Sequence, residues 1–250
     1  MKLLVILLCL LSERYVVHAA SYLRFNWFTD YCNKIYQISP QTKVFSNPAV
    51  ILALIVLPLV ILCALVLLLI DHWLFGIICF LLNLAIFYYC LGPDNPFYPI
   101  REKVDEPDPE LASGRYFAQV NGQLFAVLFW YVVAGPLAAV VYRLISLCRE
   151  QELTAKLAEK ITSILDWIPA RISVLLYLLV GNFQKGYGFF VQRFFSLPEN
   201  NDSFLSEGGL LAARINESEP VLLPYAENLV EHAVIVYLVL LAFFTLVALV

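Results

Sequence analysis

Six residues in this sequence place ionisable or hydrogen-bonding chemistry in an apolar setting. Glu13 and Arg14 end the first apolar run, and Asp166, Trp167, Pro169 and Arg171 stand at the mouth of a later one. A charge near the middle of a bilayer costs ~2.5–3.5 kcal/mol or more, so such residues face a protein interior and mark a polar centre. In residues 164–181, ILDWIPARISVLLYLLVG, Asp166 is suited to cap a helix start. Pro169 is tolerated in a first turn, where backbone N–H groups have no intrahelical partner, and Gly181 suits the far end. The helix so defined would be ~22 Å long at ~1.5 Å per residue, short of a ~30 Å hydrocarbon core. It reads as a half-helix with a polar mouth. The alternative is an interfacial helix start in which Arg171 only snorkels to headgroups. Asp166 and Arg171 lie ~140° apart around a helix and are not natural partners. With Asp166 capping its own helix, Arg171 is expected to take Glu13 as its carboxylate, leaving Arg14 for a headgroup or a second acceptor.

Other residues with chemical potential are less concentrated. Cys9, Cys32, Cys63, Cys79, Cys90 and Cys148 show no C-x-x-C spacing and no histidine at ligand distance, and four of them fall in apolar runs, where a thiol is a small hydrophobe. Asp105, Glu106, Asp108 and Glu110 could attract Mg²⁺, but the interleaved prolines fit a solvated connector better. Gly181, Gly186 and Gly188 lack the strand and the G-K-[ST] of a phosphate loop. The aromatics from Phe183 to Phe195 interleave with Lys185 and Arg193, which beside a membrane helix reads as an interfacial belt rather than a nucleic-acid surface. Asn201-Asp202-Ser203 and Asn216-Glu217-Ser218 match glycosylation sequons, which carry weight only in a eukaryotic secretory context. No catalytic, cofactor or metal residue is assigned.

The elements that position these groups follow from composition. With 61% hydrophobic and 14% charged residues and a mean hydropathy of +0.78, the chain exceeds the ~45–50% apolar content of soluble domains and belongs in a bilayer. Its net charge of −4 argues for no nucleic acid. An all-α, multi-pass bundle is expected as one membrane domain over residues 1–250, with apolar segments near 2–20, 48–70, 73–91, 124–147, 172–181 and 233–250. Residues 1–20 imitate a signal peptide, with Lys2, an apolar run and Val17-His18-Ala19, but a retained helix ending at Glu13-Arg14 is the preferred reading. Residues 21–47 read as a linker helix. Pro58 should kink the span from Pro48, Asp71-His72 should make a tight turn, and Trp73 should open the return span. Gly135-Pro136 breaks the 124–147 segment. Residues 149–164 read as an amphipathic helix with Leu153, Leu157, Ile161 and Ile164 on one face and a Glu152–Lys156 pair on the other. Gly208-Gly209 reads as a turn after Leu197, with a short helix to Ile215.

Charge gives an orientation. Arg14, Arg24, Lys34 and Lys43 place residues 13–47 in the cytoplasm, and Arg101, Lys103 and Arg115 do the same for 92–123. A simple crossing by 124–142 would then carry Arg143, Arg149, Lys156, Lys160 and Arg171 outside. A bent segment at Gly135-Pro136 is the favoured way round this, since non-helical backbone is allowed at membrane depth against protein or a cavity.

At Leu165-Asp166-Trp167-Ile168-Pro169-Ala170-Arg171 the sequence resembles the AmpE family and, more distantly, the CobD/CbiB cobalamin-biosynthesis proteins. The likeness extends to Tyr177-Leu178-Leu179-Val180-Gly181, to Leu128-Phe129-Trp130 with Gly135 and Tyr142-Arg143, to Glu13-Arg14 and to Leu91-Gly92-Pro93. It implies a multi-pass protein of the bacterial inner membrane, with the lipid bilayer as partner and other membrane proteins or cell-wall-derived ligands as candidates. For AmpE it implies a regulatory role tied to β-lactamase induction and cell-wall recycling. For the cobalamin branch it implies ATP- and Mg²⁺-dependent amide formation on a corrinoid. That branch carries an acidic E-N-x-x-D-G stretch before A-P-L-F. Here the aligned positions are Ala118, Gln119 and Gly122, followed by Ala126-Val127-Leu128-Phe129, so the carboxylates a hard cation wants are missing. A regulator without cofactor is therefore the leading expectation. A cobalamin-type ligase, or a small transporter or lipid-binding scaffold suggested by the broken helices, stands as its rival.

Overall fold

The computed structural model describes residues 2–15, 25–38, 47–73, 76–92, 97, 108–214 and 220–247, and every regular element among them is helical. In chain order these are α1 (Lys2–Tyr15), α2 (Asn26–Ile38), α3 (Pro48–Trp73), α4 (Gly76–Cys90), α5 (Pro109–Val120) and α6 (Ala126–Ala134). Then come α7 (Pro136–Leu147), α8 (Ala155–Leu165), α9 (Trp167–Val180), α10 (Phe183–Arg193), α11 (Asn201–Ala213) and α12 (Leu223–Val247). Three continuous helices are long and apolar enough to cross a membrane: Pro48–Ile70 within α3, Pro109–Ala134 and α12. A fourth is counted if α8 and α9 are taken together. The chain is an all-helical membrane protein, as its composition requires.

It forms two compact units, one from residues 1–93 and 127–165, the other from 94–126 and 166–250. In the first, α4 packs on α1 and α7, and α3 on α7 and α8. The amphipathic α2 turns Phe28 and Cys32 into a core with Ile51 and Ile55 of α3 and Leu144 and Cys148 at the end of α7. Burial pushes the Cys32 thiol up to about 11 and the Cys148 thiol to about 12, so both act as small hydrophobes at neutral pH. The lipid-facing side of α3 carries exposed Leu57, Ile61, Leu62, Leu65 and Leu68. In the second unit α5, α9 and α12 pack together, and α11 lies against both α5 and α9.

Several boundaries differ from the sequence reading. Asp71 and His72 are helical and belong to α3; the helix runs on to Trp73, and the return helix begins at Gly76. At 15 residues, α4 is ~22 Å long, less than a full hydrocarbon core. The 124–147 segment starts much earlier, because Asp108-Pro109-Glu110 is a helix start rather than a loop. The Asp108 carboxylate accepts from the N–H groups of Glu110 at 2.9 Å and Leu111 at 3.5 Å, and Pro109 fills the first turn. The amphipathic helix starts at Ala155, after a 3₁₀ turn at Cys148–Glu150, so Glu152 and an exposed Leu153 precede it. The terminal span also starts early, with Pro224 in its first turn and Glu227 and Glu231 inside the helix. The signal-like residues 16–20, the linker at 21–24 and 39–46, Asp105, Glu106 and the Asn216 sequon lie outside the described residues.

Gly208 and Gly209 are interior residues of α11, and their smallness explains why. A Cβ on Gly208 would stand 2.6 Å from the side chain of Val174 on α9, and one on Gly209 would stand 2.4 Å from the ring of Phe117 on α5. The pair that reads as a turn from sequence is instead a close helix–helix seam of the kind small residues provide in membranes.

Gly135 does break its segment as expected. It is the one described residue with a left-handed backbone, φ 86°, and Pro136 restarts the helix behind it. A side chain there meets open space but not a relaxed backbone. Gly135→Ala should therefore cost about 1–2 kcal/mol, read as a lower unfolding midpoint in mixed micelles with unchanged helix content by circular dichroism.

Candidate functional site

The second unit holds a buried polar centre along α9, built outward from Arg171. Arg171 is 3% exposed, and all five of its guanidinium N–H groups are used. Nε donates to the Phe194 carbonyl at 3.1 Å. Nη1 donates to the Trp167 carbonyl at 3.0 Å and to Oδ1 of Asn201 in a short contact. Nη2 donates to the carbonyl and hydroxyl of Ser196, at 3.0 and 2.8 Å. The Cζ of the cation lies over two rings, 4.5 Å from the centroid of Trp167 and 4.8 Å from that of Phe204, contacts that suit a planar, weakly hydrated guanidinium better than an ammonium. Trp167 completes the set by donating its indole N–H to the Ser196 carbonyl at 2.9 Å.

This geometry replaces the expected pairing with Glu13. Every acceptor of Arg171 belongs to its own unit and is neutral, so the cation is held by carbonyl, amide and hydroxyl dipoles rather than by a carboxylate. What it does locally is fix the chain between α10 and α11. Phe194 and Ser196 are tied by their carbonyls, and Asn201, 3% exposed, is tied at the first residue of α11. The aromatic run thereby divides. Phe189 and Phe190 pack on Phe204 at 5.6 and 6.1 Å, and Phe194 lies 6.2 Å from Trp167, whereas Phe183, Tyr187 and Phe195 face outward. Part of the supposed belt is the wall of this site.

Asp166 does not cap α9. Its backbone is helical, φ −79° and ψ −9°, and its side chain accepts no cap bond, although its carbonyl accepts from Ala170 N–H at 2.9 Å. An N-cap reaches back from an extended backbone, and here the chain passes from α8 into α9 without leaving the helical region. Pro169 sits buried in the first turn of α9, and Gly181 ends the helix by donating to the Tyr177 carbonyl at 2.8 Å. Glu13 and Arg14 close α1 in the other unit, where Glu13 is buried and Arg14 half-buried.

A second polar layer lies two residues along α9. Ser173 donates its hydroxyl to Oδ1 of Asn121 at 2.9 Å, both groups being fully buried. Tyr177, one turn on, is enclosed by Phe117 and Phe125 at 5.0 and 5.7 Å, and its hydroxyl is buried with no protein partner. Asn121 opens a π-helical turn, Asn121–Phe125, in which Ala126 donates back to the Asn121 carbonyl. One extra residue in a helix re-aims the side chains beside it, and such turns recur at functional sites. Asn121 and Ser173 were not singled out from sequence, and Tyr177 and Asn201 entered only through the family likeness and a sequon: a lone Asn or Ser inside an apolar run carries no spacing signal, and a π turn has no sequence signature.

Divalent-metal chemistry does not fit this donor set. Hard cations take carboxylate oxygens, and the layer offers amides and hydroxyls, with the Asn121 oxygen already accepting from Ser173. The described members of the acidic loop are otherwise employed, Asp108 in the cap of α5 and Glu110 in an ion pair with Arg214.

Comparison with known proteins gives one partial likeness. Over 89 residues, 32% of this chain and 31% of the relative, it is 32% identical to the probable cobalamin biosynthesis protein CobD of Pyrococcus furiosus. The match thus spans about a third of that relative's length. No protein-family model matches, and no solved structure does.

Proposed function

We propose that this chain is a multi-pass protein of the bacterial inner membrane with a regulatory or signalling role of the AmpE kind, tied to β-lactamase induction and cell-wall recycling, and without amide-ligase activity. The observation that carries the reading is the make-up of the polar centre along α9. Its buried side chains are Asn121, Ser173, Tyr177, Asn201 and Arg171, with Asp166 buried at the start of α9, and the guanidinium is committed to five neutral oxygens. A site of this kind can hold chain segments in place and can bind polar groups by hydrogen bonding. It offers one carboxylate, Asp166, and among the described residues no group of acids to hold Mg²⁺-nucleotide. In the source bacterium, deletion of the gene should alter β-lactamase activity after a sub-inhibitory β-lactam pulse, with a plasmid copy restoring it. Unaltered induction would remove the regulatory reading.

A cobalamin-type ligase is the second reading, favoured by the 89-residue likeness to a CobD-named protein. Titration calorimetry on the purified protein separates the two. Neither Mg²⁺-ATP nor a corrinoid should give saturable heat; saturable binding of both would favour the ligase.

A further inference from the structure

In the second unit α10 follows α9 after only two residues, Gly181 and Asn182, and packs on α9 and α11. Its inward side is set by Gly186, buried against Leu178 of α9, and by Phe189 and Phe190 on Phe204 of α11. The side turned away from these helices is divided lengthwise. Phe183, Tyr187 and Val191 recur at every fourth residue, which sets them in one row along a helix of ~3.6 residues per turn. All three are exposed, Tyr187 and Val191 each by 53%. The spacing continues to Phe195 in the turn after α10, which at 85% is the most exposed of the four. The neighbouring row, Gln184, Gly188 and Gln192, is exposed as well and carries no apolar side chain. Phe195 is also held in its outward place. The residues on either side of it, Phe194 and Ser196, have carbonyls that accept from Arg171 at 3.1 and 3.0 Å, and the Ser196 N–H donates back to the Arg193 carbonyl at 3.0 Å.

An apolar row beside a polar row on one helix matches a boundary between hydrocarbon and water, where such helices lie in plane with the apolar side sunk ~5–10 Å. Three of the four apolar side chains are aromatic, the kind that gathers at headgroup level. Lipid is at hand, since α12 of the same unit is long and apolar enough to cross a bilayer. A protein partner fits less well. Over the 11 residues of α10 the row is ~16 Å long and ~10 Å wide, far short of the ~800 Å² per partner that a stable interface buries. We propose that α10 lies in the lipid–water interface, with Phe183, Tyr187, Val191 and Phe195 sunk among headgroups and upper acyl chains and the row of Gln184, Gly188 and Gln192 in water. Of the aromatics from Phe183 to Phe195, those of this row alone meet lipid, while Phe189, Phe190 and Phe194 serve the packing against α11 and Trp167. The surface is uncharged, goes beyond the regulatory reading and does not rest on it.

Electron paramagnetic resonance on the full chain in phosphatidylcholine nanodiscs tests this. A nitroxide is carried on p-acetylphenylalanine at Tyr187 or Phe195 in one row and at Gln184 or Gln192 in the other, which leaves the native cysteines untouched. The labels at Tyr187 and Phe195 should relax with oxygen and sit ~5–10 Å below the phosphates. Those at Gln184 and Gln192 should relax with a water-soluble nickel chelate, at a nickel-to-oxygen ratio at least fivefold higher. Equal ratios for the two rows overturn the proposal, because the helix would then lie wholly in water or wholly in lipid. An apolar row shielded from both reagents overturns it too, since a protein, a second copy included, would then cover the row. Each row is sampled at two positions, so the loss of one labelled protein to misfolding leaves the comparison standing.

Discussion

Replacing Arg171 with leucine should lower the stability of the protein by about 3–5 kcal/mol. The substitution removes the guanidinium donors that now serve the Asn201 amide oxygen, the Ser196 hydroxyl and the carbonyls of Trp167 and Phe194, and leaves the Ser196 carbonyl with the Trp167 indole N–H. A buried acceptor left without a partner costs ~1–3 kcal/mol, and those of the partly exposed turn can recover some of that from water, which sets the total. Arg171→Lys should fall between, at a loss of ~2 kcal/mol, because an ammonium offers three donors and no planar face for Trp167 and Phe204. Unfolding in mixed micelles measures both. The partner is identified by coupling: Arg171→Leu with Asn201→Ala should be non-additive by ~1.5–3 kcal/mol, whereas Arg171→Leu with Glu13→Leu should add within ~0.5 kcal/mol. Wild-type stability of Arg171→Leu would mean that the side chain only snorkels.

Gly209→Val should be nearly as damaging, at ~3 kcal/mol or more, since over-packing a tight core commonly costs ~1–3 kcal/mol and sometimes exceeds it. Its first added atom alone would stand 2.4 Å from the Phe117 ring, itself fully buried and in contact with Tyr177. The clash is specific, so shrinking the ring should relieve it: Gly209→Val combined with Phe117→Leu should be more stable than the sum of the two single changes. Gly188→Ala is the control. Nothing lies within 4 Å of its added carbon, and it should stabilise α10 by ~0.5–1 kcal/mol. Thermal unfolding by tryptophan fluorescence distinguishes these outcomes. A harmless Gly209→Val would show that α11 does not meet α5 as described.

The difference between what was legible in the sequence and what was not follows the range of the interactions. The helix from Trp167 to Gly181 and the break at Gly135-Pro136 are written in local signals: a proline in a first turn, a glycine at an end, an apolar run between. The importance of Arg171 was legible too, because a charge in such a run must be satisfied. Its partners were not, since a search for a carboxylate passes over carbonyls, and the carbonyls of Phe194 and Ser196 are brought to it only by the turn between α10 and α11. The same blindness affects Gly208-Gly209, where a pair that locally means a turn is used at long range to admit Val174 and Phe117. Asp108-Pro109-Glu110 was a local signal misread. Its acids and proline suit a solvated loop, and equally a capped helix start, and the helix behind it tipped the balance.

Growth of a bacterial strain that lacks the cobalamin-branch ligase, supplied with cobyric acid and expressing this chain, is the most direct test of whether a polar centre of amides, hydroxyls, one carboxylate and one engaged guanidinium can ligate. With the chain verified in the membrane by immunoblot, the expected result is no cobalamin-dependent growth, as in the empty-vector strain, because the resemblance puts Ala118, Gln119 and Gly122 in place of the carboxylates a hard cation wants. Growth at the rate given by an authentic ligase would contradict it and make this chain an enzyme.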